Sequence, residues 1–295
     1  MTNPLRKLFP RMFGGVEKMA ARAFYAAQVN RLTADFNATT TSIITDIRTG
    51  AKPLRARARY LAQNNDIAKR YITMVRTNVV GHNGFTLQVR SKFLNGDLDE
   101  ATNTRIEDAF RDWSRARNCT TAGNMSFRGV QDMVAIGAAR DGEILVRMVT
   151  VPGSKYGMQL QIIPPEYLEE NLNAALDSGN YIRMGIEYNA SGAPVRYHIR
   201  KETAAAAVWG FYQTENYVAV PADEIIHVFM PEYANQGRGF SWMAQSMVRL
   251  HMLKGYEDAT LVNARATSAK AMIYYTENAP PRDFVGDEED ESGNQ

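Results

Sequence analysis

The chain has 295 residues, 45% hydrophobic and 22% charged, a composition typical of a folded protein with one large or two small domains. Its single cysteine, Cys119, excludes an intrachain disulfide, and no apolar run approaches the roughly 20 residues that a membrane span requires. We expect a cytosolic protein without a secretory signal. The net charge of +2 hides an asymmetry, because residues 1–80 carry 14 basic and 4 acidic side chains. A basic N-terminal part suggests contact with a polyanion.

Residues 1–50 are predicted to form a basic N-terminal arm. Within it, four residues recur at helical intervals and predict a helix over residues 16–32: Phe13, Ala20, Phe24 and Ala27. Residues 37–42 have no core pattern and are predicted to be a linker. Because the arm has too few apolar residues for a core of its own, we expect it to pack on a neighbour or stay mobile.

Two helices are predicted between residues 54 and 80, with a break at Asn64 and Asn65. Asn65 can cap the second helix, and Gly81 fits the position that ends it. Three arginines upstream of the break are spread around the first helix by their alternate spacing, so they do not form one basic face: Arg55, Arg57 and Arg59.

The next segment is predicted to alternate between strands and helices. Residues 84–89 alternate like a strand, and Thr104 with Glu107 forms a capping box for a short helix that buries Phe110 and Trp113. Ser126 can cap the following helix. The hairpins and strands that follow are predicted at residues 144–151 with 158–163, 184–188 with 195–199, 208–212, 217–220 and 225–229. The fold class is therefore α+β, with antiparallel, hairpin-rich sheets flanked by helices.

A glycine-rich turn is predicted to join the last strand to a long helix that begins near Ser241. Gly237 and Gly239 bracket Arg238 and indicate unusual backbone angles. Ser241 is predicted to be the N-cap, and Trp242 is predicted to be buried in the first turn. Arg238 is interpreted either as a phosphate-reading residue or as a turn residue held by a carboxylate, and we favour the second.

The sequence predicts no catalytic, cofactor-binding or metal-binding residues. The best combination is His227 with Asp223 and Glu224, but a partly buried histidine in a sheet explains His227 better. No GxxxxGK[ST] phosphate-binding loop, GxSxG nucleophile motif or GxGxxG dinucleotide motif occurs. These absences favour a structural protein over an enzyme.

Three blocks of sequence resemble the lambda-like portal proteins of tailed bacteriophages. They are RARARYLAQNNDIAKRYITMVRTNVVG, then WSRARNCTTAGNMSFRGVQDMVAIGAARDGEILVRMV with LQIIPPEYLEE, and finally PADEIIHVF, QGRGFSW and YEDATL. The resemblance extends from about residue 54 to residue 275. It implies that residues 51–276 form an α+β domain similar to the portal wing, with no catalytic residues. The acidic residues 277–295 are expected to be a disordered tail.

The resemblance also implies partners and a location. Portal proteins of this kind form a ring, usually of twelve subunits, at one capsid vertex of the virion. Double-stranded DNA passes through the ring without sequence-specific contacts. The terminase docks on it during packaging, and capsid, scaffold and head–tail connector proteins contact it. Assembly in the host cytoplasm is implied, and no membrane is involved.

Family members continue into stem, clip and crown regions, whereas this sequence stops after an acidic tail. We therefore expect a fragment, a truncated or split gene, or a prophage remnant, and a monomer or weak oligomers from these residues alone. Two alternative functions stay open. One is a phage-encoded metal-dependent hydrolase or nuclease that uses Asp223, Glu224 and His227. The other is a stand-alone DNA-binding adaptor.

Overall fold

The computed structural model describes residues 41–201 and 217–269, in two compact units divided after Gln245. The helices are α1 (Ile43–Asn64), α2 (Asp66–Val79), α3 (Glu100–Trp113), α4 (Ala116–Cys119), α5 (Phe127–Asp141) and α6 (Met247–Ser268). The strands are β1 (Glu143–Thr150), β2 (Met158–Ile163), β3 (Ala174–Ala175), β4 (Tyr181–Arg183), β5 (Ile186–Tyr188), β6 (Pro194–Arg200), β7 (Tyr217–Pro221) and β8 (Ile225–Phe229).

Two antiparallel sheets confirm the predicted α+β class. One has the strand order β2-β1-β8 and the other the order β3-β4-β5-β6-β7. The central strand of the first sheet is β1, in which Leu145 pairs with Ile163 on one side and with His227 on the other. The hairpins β1–β2 and β5–β6 are those predicted from the sequence. The predicted strand at residues 208–212 lies outside the described residues, as do the predicted arm helix and the acidic tail.

Local capping signals explain the break between α1 and α2. The side chain of Asn65 accepts a hydrogen bond from the backbone N–H of Ala68 at 2.9 Å, as predicted. Gly81, with φ of 73°, follows the end of α2. The first helix begins at Ile43, earlier than predicted, and its residues Ile47 and Ala51 are buried in an apolar cluster. Packing of this first part therefore extends the helix into a stretch without a strong sequence signal.

Two predictions for residues 84–107 are wrong. Residues 84–89 are not a strand, because the backbone of Phe85 is hydrogen-bonded to the side chain of Gln131 instead of to another strand. The cap of α3 is Asp99, whose carboxylate accepts from the backbone N–H of Thr102 at 3.0 Å. Glu107 accepts from the backbone N–H of Val89 and takes no part in a capping box. Phe85 and Glu107 thus make contacts with distant segments, whereas the cap of α3 is a local contact at a residue that the sequence analysis overlooked.

The long helix α6 begins at Met247 and not at Ser241. The hydroxyl of Ser241 accepts from the backbone N–H of Met243 at 3.2 Å, so it caps a turn that does not continue as a helix. The backbone N–H of Trp242 donates to the carbonyl of Ala139 at 3.1 Å, which ties this turn to α5. By contrast, Ser126 caps α5 as predicted.

The core of the first unit consists mainly of two apolar clusters. One lies around β1, β5 and β6 and includes Leu145, Leu168 and Ile186. The other includes Trp113 and Cys119. Trp113 is buried as predicted, whereas Phe110 and Trp242 are only half-buried. Among the helices that the structure describes, none has the length and apolar character needed to cross a bilayer.

Candidate functional site: a buried arginine–glutamate network

Arg238 is the centre of a network of buried charges. Its Nε lies 2.9 Å from both carboxylate oxygens of Glu143, and its Nη2 lies 2.6 Å from Oε1. Its Nη1 donates to the carbonyl oxygens of Met184 at 2.7 Å and Leu168 at 3.2 Å. The guanidinium is thus enclosed by protein acceptors. This confirms that Arg238 is a turn residue held by a carboxylate and does not read phosphates.

Glu143, the first residue of β1, has donors on both carboxylate oxygens. Besides Arg238, Oε2 accepts from the backbone N–H of Gly239 at 2.9 Å and lies 3.1 Å from Nε2 of His227. Burial alone would raise the pKa of Glu143, but the charge of Arg238 and the hydrogen bonds from Arg238 and His227 together outweigh it and hold this pKa well below its usual range. The carboxylate is therefore ionised at neutral pH. With its lone pairs occupied, it is poorly placed to act as a general base.

A second arginine–glutamate pair balances the first. Nη1 of Arg55, from α1, lies 2.9 Å from Oε1 of Glu170, and its Nη2 lies 3.4 Å from Oε1 of Glu143. Glu170 also lies 3.9 Å from Arg238. All four side chains are buried, so two positive and two negative charges share one dry site. Pairing of this kind offsets much of the cost of removing the charges from water.

The glycines around Arg238 are required by space and not by unusual backbone angles, which corrects the sequence prediction. Neither Gly237 nor Gly239 has a positive φ. A Cβ at Gly239 would lie 2.1 Å from the carbonyl oxygen of Gly142, and one at Gly237 would lie 2.3 Å from the hydroxyl of Tyr188. A side chain at position 239 would therefore displace the backbone of Gly142, whereas one at position 237 would have to displace the side chain of Tyr188.

A related group of charges lies two residues before Glu143. The carboxylate of Asp141 accepts from Arg59 at 2.8 and 2.9 Å and from Arg140 at 2.8 and 3.0 Å. Arg59 also contacts Glu166. Burial opposes ionisation of Asp141, but the two arginines hold its pKa below the usual value. Together with Arg55, this group ties α1 to the junction between α5 and β1.

The three residues considered for a nuclease do not converge. Glu224 binds Arg147, with distances of 2.8 and 3.0 Å, and Asp223 is exposed. His227 lies in β8 and contacts Glu143, as expected for a histidine of the sheet. In the ranges 41–201 and 217–269, no group of three or more His, Cys, Asp or Glu side chains could hold a metal ion.

Sequence reasoning found Arg238 but missed the other three members of its buried network: Arg55, Glu143 and Glu170. Two signals were available. Glu143 opens a strand whose next three residues are apolar, a position at which a buried charge needs a partner. Arg55 and Arg59 are four residues apart, so they lie on the same face of a helix, apart from Arg57.

The described part of this site joins segments that are far apart in the sequence. The family model described as "Phage portal protein, lambda family" matches residues 29–295. A "Probable portal protein" of Halomonas phage phiHAP-1 is 33% identical over 242 residues, which are 82% of this chain and 46% of the relative. The chain belongs to the lambda family of phage portal proteins. It spans about half the length of that curated relative.

A solved structure titled "Neck of empty GTA particle computed with C6 symmetry" is also similar. It is 12% identical, with 80% of this chain and 48% of that chain covered and a TM-score of 0.38. A score of this size does not establish a shared fold.

Proposed function

We propose that this chain is a subunit of a portal ring, the head–tail connector at one capsid vertex through which double-stranded DNA is packaged and ejected. Membership of the lambda portal family supports this proposal. The proposal includes a ring of twelve subunits, docking of the terminase and contacts with capsid, scaffold and connector proteins. It also includes assembly in the host cytoplasm and a final place in the virion. The role is structural and requires no enzymatic turnover by this chain.

The exposed surface of α6 is the observation that supports self-association. Met252 is 68% exposed, and Val248 and Tyr256 are also mostly exposed. With 3.6 residues per turn, these side chains and Ala259 fall on one stripe of the helix. A continuous apolar stripe in water favours association, and a ring places such a stripe against a neighbouring copy.

Mass photometry and negative-stain electron microscopy of the full chain at several concentrations test the proposal. We expect oligomers whose size increases with protein concentration. The substitution Met252→Glu should abolish them. Leu261→Glu is the matched control, because Leu261 is also exposed, at 58%, but lies on the opposite side of the helix, nine residues further on. A monomer at every concentration, or equal effects of both substitutions, would contradict the role of this stripe.

A further inference from the structure

An open apolar groove runs along one face of the β2-β1-β8 sheet. Helices α2, α3 and α5 form its other walls, and its volume is about 980 Å³. Val79, Phe110 and Val134 line the helical side, and Leu160 and Ile226 line the sheet side. None of the residues that line the groove is charged. A polar or ionic ligand would find almost no partners here, so the groove suits an apolar occupant.

The rim of the groove keeps large apolar side chains in contact with water. Phe85 and Met230 are more than half exposed, and Ile226 is about half exposed. Exposed apolar side chains that adjoin one another are uncommon on monomeric proteins and usually mark a surface that is covered. Covering them removes apolar area from water and is therefore favourable.

The start of α1 packs against the loop that also supplies Trp242 to this groove. Residues Ile43 and Ile44, at the start of α1, pack in a cluster with Phe240. Trp242, two residues further along, lines the groove. Residues 33–41 can extend by roughly 3.3 Å each, a reach on the order of 30 Å. Residues 16–32 would form a helix about 25 Å long.

The sequence of this segment has the pattern that such a groove requires. In a helix over residues 16–32, an apolar stripe is formed by Val16, Ala20, Ala23, Phe24 and Ala27. Arg31 continues this stripe at its C-terminal end, where a long side chain can keep its charge in water. Glu17, Lys18 and Arg22 fall outside that stripe and would stay in water. The small alanines allow close approach to the walls of the groove, and Phe24 supplies a larger anchor.

We propose that residues 16–32 dock as an amphipathic helix in the apolar groove of their own subunit. Three observations support this proposal. The groove has an uncharged lining and an exposed apolar rim, α1 begins near the loop that contains Trp242, and the segment has an apolar stripe. The proposal does not depend on ring formation. A second copy that donates its segment, or another apolar partner, is the competing occupant.

Disulfide trapping in the full chain tests the proposal. Ala20→Cys is combined in turn with Phe85→Cys, Met158→Cys or Met230→Cys, all at exposed positions that line the groove. Ala21→Cys is the matched control, because it has the same native residue but lies about 100° further around the helix. Native Cys119 is buried and should not form a disulfide with the introduced cysteines. Only variants whose melting temperature matches that of the parent protein are compared, so that the cross-linking yields refer to folded protein.

We expect at least one Ala20→Cys pair to give a faster-migrating monomer on a non-reducing gel, with several-fold less product from Ala21→Cys. Cross-linked dimers in place of that monomer would overturn docking within the subunit, as would equal yields from the two positions. As a second measurement, Phe24→Glu should raise the fluorescence of an apolar-surface dye, whereas Tyr25→Glu should not. An unchanged signal for Phe24→Glu would also overturn the proposal.

Discussion

Replacing Arg238 with methionine should destabilise the protein severely. Arg238 is 1% exposed and Glu143 is 0% exposed, so the variant leaves a buried carboxylate without its main partner. The carbonyl oxygens of Met184 and Leu168 lose a donor as well. Breaking a buried ion pair from one side costs about 3–5 kcal/mol. That is a large share of the roughly 5–15 kcal/mol by which a domain is stable.

Arg147→Met is the matched control for this prediction. Arg147 also lies on β1 and binds Glu224 at 2.8 Å, but the two side chains are 30% and 38% exposed. Solvent screening limits such a pair to about 0–1 kcal/mol. Urea unfolding, monitored by circular dichroism, measures the free energy of unfolding of both variants. The slope of this free energy against urea concentration is compared between variants to check that the transition stays two-state.

The double variant Arg238→Met with Glu143→Leu separates the two parts of the loss. It removes the stranded carboxylate along with its partner, so it should recover part of the stability lost in Arg238→Met. Similar, small losses for Arg238→Met and Arg147→Met would refute the reasoning. They would show that the buried network contributes no more than a pair at the surface.

Three further predictions follow from the same region and its surroundings. Because the pKa of Glu143 is lower in the folded protein than the roughly 4.3 of an unfolded glutamate, the urea midpoint should fall as the pH drops below about 5, and Glu143→Gln should flatten that fall. Gly239→Ala should cost about 2 kcal/mol or more in urea unfolding, because its Cβ meets the backbone of Gly142, whereas Gly50→Ala in α1 should gain about 0.5–1 kcal/mol. Burial raises the pKa of Cys119 to about 11, so this thiol should resist a thiol reagent at pH 8 until the protein is unfolded.

The parts of the fold that the sequence predicted are those determined by neighbouring residues. The hairpin of β1 and β2 follows from two apolar-rich runs on either side of a Pro-Gly turn. The cap at Asn65 and the left-handed Gly81 after α2 are likewise local. In each case the side chain or the backbone angle that decides the structure lies within a few residues of the element that it ends.

The parts that the sequence did not predict depend on distant contacts. Phe85 bonds to a side chain 46 positions away, which no pattern within residues 84–89 indicates. The turn after Ser241 is held by the carbonyl of Ala139, so the helix begins later than its apolar spacing suggests. For the site, a lone Arg238 between glycines predicted a carboxylate partner, but only the fold identifies that partner as Glu143.

We expect the buried network to contribute more to geometry than to total stability. Replacing an entire buried ion network with apolar side chains is often neutral, so stability alone does not account for one. A guanidinium and a carboxylate, however, restrain both distance and angle, whereas apolar side chains can slide over one another. Through Arg55, Glu143, His227 and Arg238, the network fixes α1, β1, β8 and the loop at residues 237–239 relative to one another. For the portal subunit proposed above, which would have to present the same surfaces in every copy of the ring, such directional restraint is the physical property that matters.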